Sequence, residues 1–435
     1  MNLHAMEWAE NRSQPAIDAL VREGRAHSAI YTDPGIFELE LKRIFGRSWL
    51  FIGHVSEVPA AGDYRMRKMG RASVLLVRGE DGRVRVLMNR CRHRGSQVCE
   101  SESGNSKMFR CWFHGWTYEN TGKLSVVEAP AGYGAGFRRE EMGLTPAPRS
   151  AEYRGFVFAS LAAEGPSLPE FLGHAAPIID LLVDASPAGE ILVDGGTHKT
   201  VYQGNWKFIG MDGYHPNVVH ASVVAAWKRN AEFGTGVTHR EDPFVDEARS
   251  LTRDLGNGHV MLDFREQRLH HYEAHQAFLR NTPGGERYIA DMRRAYGEAR
   301  ARLLIALSGD PHVGVFPNLQ LINNQVRIVN PIAVDKTEVN MIAVRLGGVS
   351  DEMNIARLRQ HESFYGPAGG GSPDDAEIFE RVQRGLLADV DPWVDLSRGM
   401  ERETLGADGT VVGRITDEVT QRGQLRHWRD LMLRP

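Results

Sequence analysis

The chain is poor in cysteine, with three in 435 residues: Cys91, Cys99 and Cys111. So few thiols exclude a disulfide-stapled scaffold. Neither sign of charge prevails, since 52 Lys and Arg stand against 56 Asp and Glu for a formal net charge of −4. That balance removes any general electrostatic reason to bind nucleic acid or anionic lipid, so a small molecule is the expected partner. Long apolar runs are also missing. The stretch 175–183 is interrupted by Pro177 and Asp180 and is far shorter than the roughly 20 residues of a membrane helix. Residues 1–8 lack the basic-then-apolar order of a secretory signal, so a cytoplasmic location is expected. No G-x-x-x-x-G-K loop or strand-linked G-x-G-x-x-G is found, and Gly369-Gly370-Gly371 has neither context, so no nucleotide or flavin fingerprint is carried here.

What is present is enough apolar residue, 42%, to bury a large core, and a length that suggests two domains. Apolar side chains recur at three- and four-residue steps over 15–22 and 34–45, predicting two helices within residues 1–45 that pack on the larger domain. From Trp49 the period falls to two. Segments 72–77 and 84–88 flank a turn at 79–82, further strand-like segments follow at 113–118 and 154–159, and Gly165-Pro166 closes the run. Strands at 319–322, 326–329 and 339–344 and a helix over 286–304 follow. The pattern predicts an α+β protein: a small all-β domain over 46–165 and a larger domain over 166–435, with an antiparallel sheet covered by helices.

The β-rich part carries Cys91-Arg92-His93, then seventeen residues, then Cys111-Trp112-Phe113-His114. Each half offers one thiolate and one imidazole. Structural zinc is one rival, but zinc sites usually pair like ligands, C-x-x-C with H-x-x-x-H. Here each loop mixes the two and contains a turn glycine, Gly95 or Gly115. A Rieske [2Fe-2S] cluster needs that mixture, because two thiolates hold one iron and two imidazoles the other. Cys99 is left as a spare buried thiol.

Such a cluster moves electrons and binds no substrate, so the remaining chain is expected to hold a second redox centre. Asp212-Gly213-Tyr214-His215-Pro216 with His220 is the segment to weigh. Pro216 favours a first helical turn, so His215 would stand just ahead of a helix and His220 within it, both able to reach one ion. A carboxylate would complete the two-His, one-carboxylate triad of non-haem Fe(II) oxygenases. Asp375 is a distant candidate, but Ser372-Pro373-Asp374-Asp375 also reads as a helix start, with Ser372 capping and both aspartates favoured by the helix dipole. The residues alone leave both roles open. Arg327, on a predicted strand, is a candidate for a substrate carboxylate, against the commoner role of a paired or solvated arginine.

Together these residues resemble the large (alpha) subunit of Rieske non-haem iron ring-hydroxylating oxygenases, such as the naphthalene, benzoate and terephthalate dioxygenases. The likeness runs from Tyr31-Thr32-Asp33-Pro34 and Arg47-Ser48-Trp49 through both Cys-His loops and Asp212 to His220. It continues to Gly366-Pro367-Ala368-Gly369 with Asp374-Asp375, and to Arg426-His427-Trp428-Arg429. It implies Cys91, His93, Cys111 and His114 on the cluster, His215, His220 and Asp375 on a mononuclear Fe2+, and Asp212 as the acid bridging an iron histidine to a cluster histidine of the next subunit. It further implies a homotrimer or alpha3beta3 assembly with a small beta subunit, electrons of NAD(P)H origin delivered by a reductase and a ferredoxin, and an aromatic substrate. A demethylating monooxygenase and a plain electron carrier are the alternatives. One departure is local: only Phe208-Ile209-Gly210-Met211 separates Asn205-Trp206-Lys207 from Asp212, so the Glu-Asn that the family has there is not carried over.

Overall fold

The computed structural model describes residues 17–212, 214–216, 246–369, 371–388 and 390–434. The chain forms two compact units, one of residues 45–168 and one of residues up to 44 together with those from 169 onward.

The smaller unit is built of three antiparallel sheets. Ala72–Arg78 pairs with Val84–Met88 and with Asp63–Met69, and Ser103–Asn105 completes that sheet. Leu50–His54, Phe156–Ser160 and Arg149–Tyr153 form the second, and Met108–Arg110, Thr117–Glu119 and Leu124–Val126 the third. The expected strand over 113–118 is only partly a strand. Residues 112–114 are a turn and the strand begins at Thr117, because Gly115 at φ +70° cannot continue an extended chain.

Nine strands of the larger unit form one antiparallel sheet. From one edge they run Thr197–Tyr202, Lys336–Ala343, Gln325–Ala333, Leu319–Ile322, Val313–Val315, His259–Asp263, Leu251–Gly256, Val411–Arg414 and Thr404–Leu405. Directly opposed residues share a face, so the pairs His198↔Met341, Met341↔Arg327, Arg327↔Gln320 and Gln320↔Gly314 form a row across it. Helix Ser372–Gly385 presents Asp375, Ala376 and Phe379 toward the same face. Its spacing of one and four residues is that of a single helix side. Gly371 caps that helix and the Ser372 hydroxyl meets Met341 Sδ at 3.4 Å, so Ser372 is not the cap expected of it.

The second predicted N-terminal helix is observed as Pro34–Glu40, opened by Asp33, which accepts from Gly35 N and Ile36 N, and continued as a π-helix to Phe45. Of the first, expected over 15–22, Ile17 and Asp18 are helical, residues 15 and 16 lie outside the described residues, and the end is corrected. Val21–Arg22 is a strand that turns at Gly24 and pairs with Arg25–His27, whose other side pairs with Trp393–Asp395. A run of eight residues is too short for periodicity to separate helix from hairpin. Among the described residues no helix is long and apolar enough to cross a membrane.

Candidate metal centres

The two Cys-His loops share one backbone mould. Cys91 N donates to Ser96 O at 2.7 Å and Gly95 N to Cys91 O at 3.0 Å; Cys111 N donates to Trp116 O at 2.8 Å and Gly115 N to Cys111 O at 3.0 Å. Both glycines are left-handed, φ +83° and +70°, which any Cβ would strain. The moulds turn Cys91 and Cys111 inward, each 2% exposed and unoxidised. His93 and His114 face each other with ring centres 4.6 Å apart, and His93 stacks on Trp116 at 5.0 Å. The Nδ1 atoms of both histidines are buried and accept or donate no hydrogen bond. Desolvation, then the charges of His93 and Arg94, lowers the His114 pKa and keeps its imidazole neutral.

Two buried thiols and two orphaned imidazole nitrogens are the donor set of a Rieske cluster. A single zinc fits less well, because among the described residues no three His, Cys, Asp or Glu side chains gather as one metal ion requires. Tyr118 Oη accepts from Arg92 N at 2.9 Å and lies 3.2 Å from Cys91 Sγ, within hydrogen-bond reach of the sulfur.

Of the second set, His215 is half-buried and follows Tyr214, which is 1% exposed. Asp212 ends the π-helix Phe208–Asp212. His220 lies outside the described residues. Asp375 sits in the first turn of helix Ser372–Gly385 and borders a narrow cleft between that helix and the sheet face. Met341, Val339, Ile209, Phe379 and Tyr202 give the cleft mainly apolar walls, and Arg327 is its cationic group.

Arg327 is 4% exposed and its Nε is buried without a hydrogen bond. Among the described residues no salt bridge to Arg327 is found, and its guanidinium rests 5.1 Å from the Tyr365 ring centre. Beside it, His361 is 1% exposed with Nε2 unpartnered. Burial, then the neighbouring His198, lowers its pKa to about 4, with the Glu362 carboxylate opposing.

Residues 48–135 match the Rieske [2Fe-2S] domain, and residues 190–432 match the catalytic domain of the ring hydroxylating alpha subunit. This chain belongs to the ring-hydroxylating alpha subunits. As one, it is the large subunit of a dioxygenase, an oxidoreductase, with a Rieske cluster and mononuclear non-haem iron as cofactors. It is 34% identical to the 2-halobenzoate 1,2-dioxygenase large subunit of Burkholderia cepacia over 94% of this chain and 90% of that one. To the anthranilate 1,2-dioxygenase large subunit of Acinetobacter baylyi it is 33% identical over 98% and 93%. Its structure superposes on naphthalene 1,2-dioxygenase with indole bound at a TM-score of 0.80, 26% identity and 95% and 94% coverage. The catalytic-domain match sets aside the plain electron carrier.

Sequence reasoning missed the buried acid of this alpha subunit. Glu40, fully buried, accepts from Lys207 Nζ at 2.6 Å, Trp206 Nε1 at 2.8 Å and Trp428 Nε1 at 2.7 Å. Trp206 and Lys207 adjoin the π-helix that ends at Asp212, but Glu40 lies 166 residues before Trp206, beyond any local signal.

Proposed function

We propose that this alpha subunit hydroxylates an aromatic carboxylic acid whose carboxylate is held by Arg327. The observation that carries the reading is the buried Arg327 guanidinium, with Nε unpartnered and no counter-ion among the described residues, in the cleft beside Asp375. A buried charge without a counter-ion is expensive, and an anionic ligand that completes the pair accounts for its retention. The planar fork of arginine matches a carboxylate bidentately. His361, held neutral, adds a hydrogen-bonding edge without a second positive charge. Met341, Phe379 and Ile209 would exclude water from around the ring. Relatives are named for 2-halobenzoate, toluate and anthranilate and others for biphenyl and chlorobenzene, so the choice of an acid rests on Arg327.

In this reading Cys91 and Cys111 hold one iron of the cluster and His93 and His114 the other, within a cluster domain over 46–165. His215, His220 and Asp375 hold the mononuclear iron in a catalytic domain over 166–435, on which residues 1–45 pack. Asp212 links that site to a cluster histidine of the neighbouring subunit, so the working unit is a trimer, alone or as alpha3beta3 with a small beta subunit. A separate reductase, directly or through a ferredoxin, delivers the electrons. When bound, the cluster supplies electrons singly and the mononuclear iron is where dioxygen is activated. The site is read as cytoplasmic.

The test is anaerobic reconstitution with a surrogate reductase, then 18O2 with a panel of benzoates and neutral arenes, and mass analysis of the products. Two labelled oxygens in a product from an acid are expected. Turnover of neutral arenes alone overturns the acid reading, and an unlabelled demethylated product from a methoxybenzoate added to the panel, with one labelled oxygen released as formaldehyde, would instead identify a demethylase.

A further inference from the structure

We propose that Asn205-Trp206-Lys207 is a buried hub that sets the spacing between the two chain segments of the mononuclear site, with Gln383 and Glu40 as its positioning residues. The inference rests on reading His215 and Asp375 as ligands. Those residues are far apart in sequence, so a tertiary tie must fix their separation, and ligands need placement to within about half an ångström.

The hub makes that tie on both sides. Toward Asp375, Asn205 N donates to Gln383 Oε1 at 2.9 Å, two turns along the helix that bears the aspartate, and Gln203 N donates to Glu380 Oε1 at 2.9 Å. Asn205 Nδ2 donates to Tyr31 O at 3.1 Å and Val334 O at 2.8 Å, and Gln383 Nε2 reaches the same Tyr31 carbonyl at 3.3 Å. Toward His215, Trp206 and Lys207 are locked onto Glu40, and the π-helix starts at the very next residue. Helix Val419–Leu433 holds the far side of that segment. Gln424 Nε2 donates to Gly210 O at 3.3 Å, Thr420 Oγ1 to Tyr214 O at 2.9 Å and Gln421 Nε2 to Tyr214 O at 3.1 Å. The same helix supplies Trp428 to Glu40.

A fully buried ion pair is a poor choice for stability alone, since apolar side chains of like volume usually serve as well. Its directional bonds do what apolar packing cannot, which is to fix distance and orientation at a π-helix, an element often found at functional sites.

The test uses the full chain with its cluster in place, stripped of mononuclear iron by chelation and titrated anaerobically with Fe2+. Gln383→Met removes both amide contacts at similar volume, and Trp428→Phe removes the N–H but keeps a smaller aromatic ring; Ile305→Val, a buried truncation in helix Gly285–Leu307, is the control for destabilisation by lost volume. Both hub variants should bind Fe2+ at least about tenfold more weakly, with the visible spectrum of the cluster unchanged, while Ile305→Val binds as wild type. Wild-type affinity in Gln383→Met and Trp428→Phe overturns the hub, as does an equal loss in Ile305→Val. If Gln383→Met does not fold, Trp428→Phe decides alone. Full Fe2+ binding by His215→Ala would instead sink the ligand reading beneath it.

Discussion

His93 and His114 meet edge to face, with ring planes 77° apart and both Nδ1 atoms buried and unpartnered. Two imidazoles so placed are held for a shared task that packing alone does not explain. Replacing His93 by Ala should remove the cluster's visible absorption and reduce bound iron from about three atoms per chain to about one. Iron analysis beside the spectrum checks this, and zinc in place of iron in the wild-type protein would contradict it.

Arg327 should separate binding from stability. Arg327→Met is expected to raise the Km for an aromatic acid roughly ten- to hundredfold, because a charge-assisted hydrogen bond is lost, and to leave a neutral arene little affected. The same change removes an unpaired buried charge, so the substrate-free protein should gain about 1–3 kcal/mol in urea unfolding. A variant that is less stable and binds acids normally would refute the assignment.

His259 gives the fold an acid limit. Its Nε2 donates to Phe171 O at 2.7 Å and its Nδ1 accepts from Phe316 N at 3.1 Å, so a second ring proton would face a donor. Burial, opposed by the bond to Phe171, lowers its pKa from 6.5 to about 4. The unfolded chain therefore binds the proton first. The stability from this group is complete above pH 6.5 and is lost as pH falls toward 4, amounting to roughly 3 kcal/mol. Unfolding at stepped pH should show a shallower slope for His259→Gln than for wild type.

Gly314 leaves no room for a side chain. An added Cβ would stand 2.4 Å from Tyr214 Cζ, a buried ring beside His215. Gly314→Ala should cost about 1–3 kcal/mol or more. Adding Tyr214→Leu should recover part of that cost, and strict additivity of the two changes in a double-mutant cycle would rule out the clash as the cause.

How much was legible in the sequence depended on how far apart the cooperating residues lie. The cluster loops were, because each ligand pair and its turn glycine fall within six residues and the chemistry needs no distant partner. Asp375 was not, since its place in a cleft follows from a helix laid over a sheet face whose row is assembled from five strands. Arg327 could be named from its strand, but that no acid opposes it across the sheet is visible only when the cross-strand neighbours prove to be Met341 and Gln320. The hairpin at Val21–His27 was misread because its partner strand, Trp393–Asp395, comes near the other end of the chain.

That the carboxylate of Glu40 is shared with Trp428, 388 residues later, bears on how the protein is made. Residues 45–168 are contiguous and can close while the rest of the nascent chain is still on the ribosome. The larger unit cannot, for its sheet awaits Val411–Arg414 and its buried acid awaits an indole from the last helix. Until Val411–Arg414 and Val419–Leu433 have emerged, the larger unit waits with an open sheet edge and without the indole that closes over Glu40, which is the interval in which chaperones matter most.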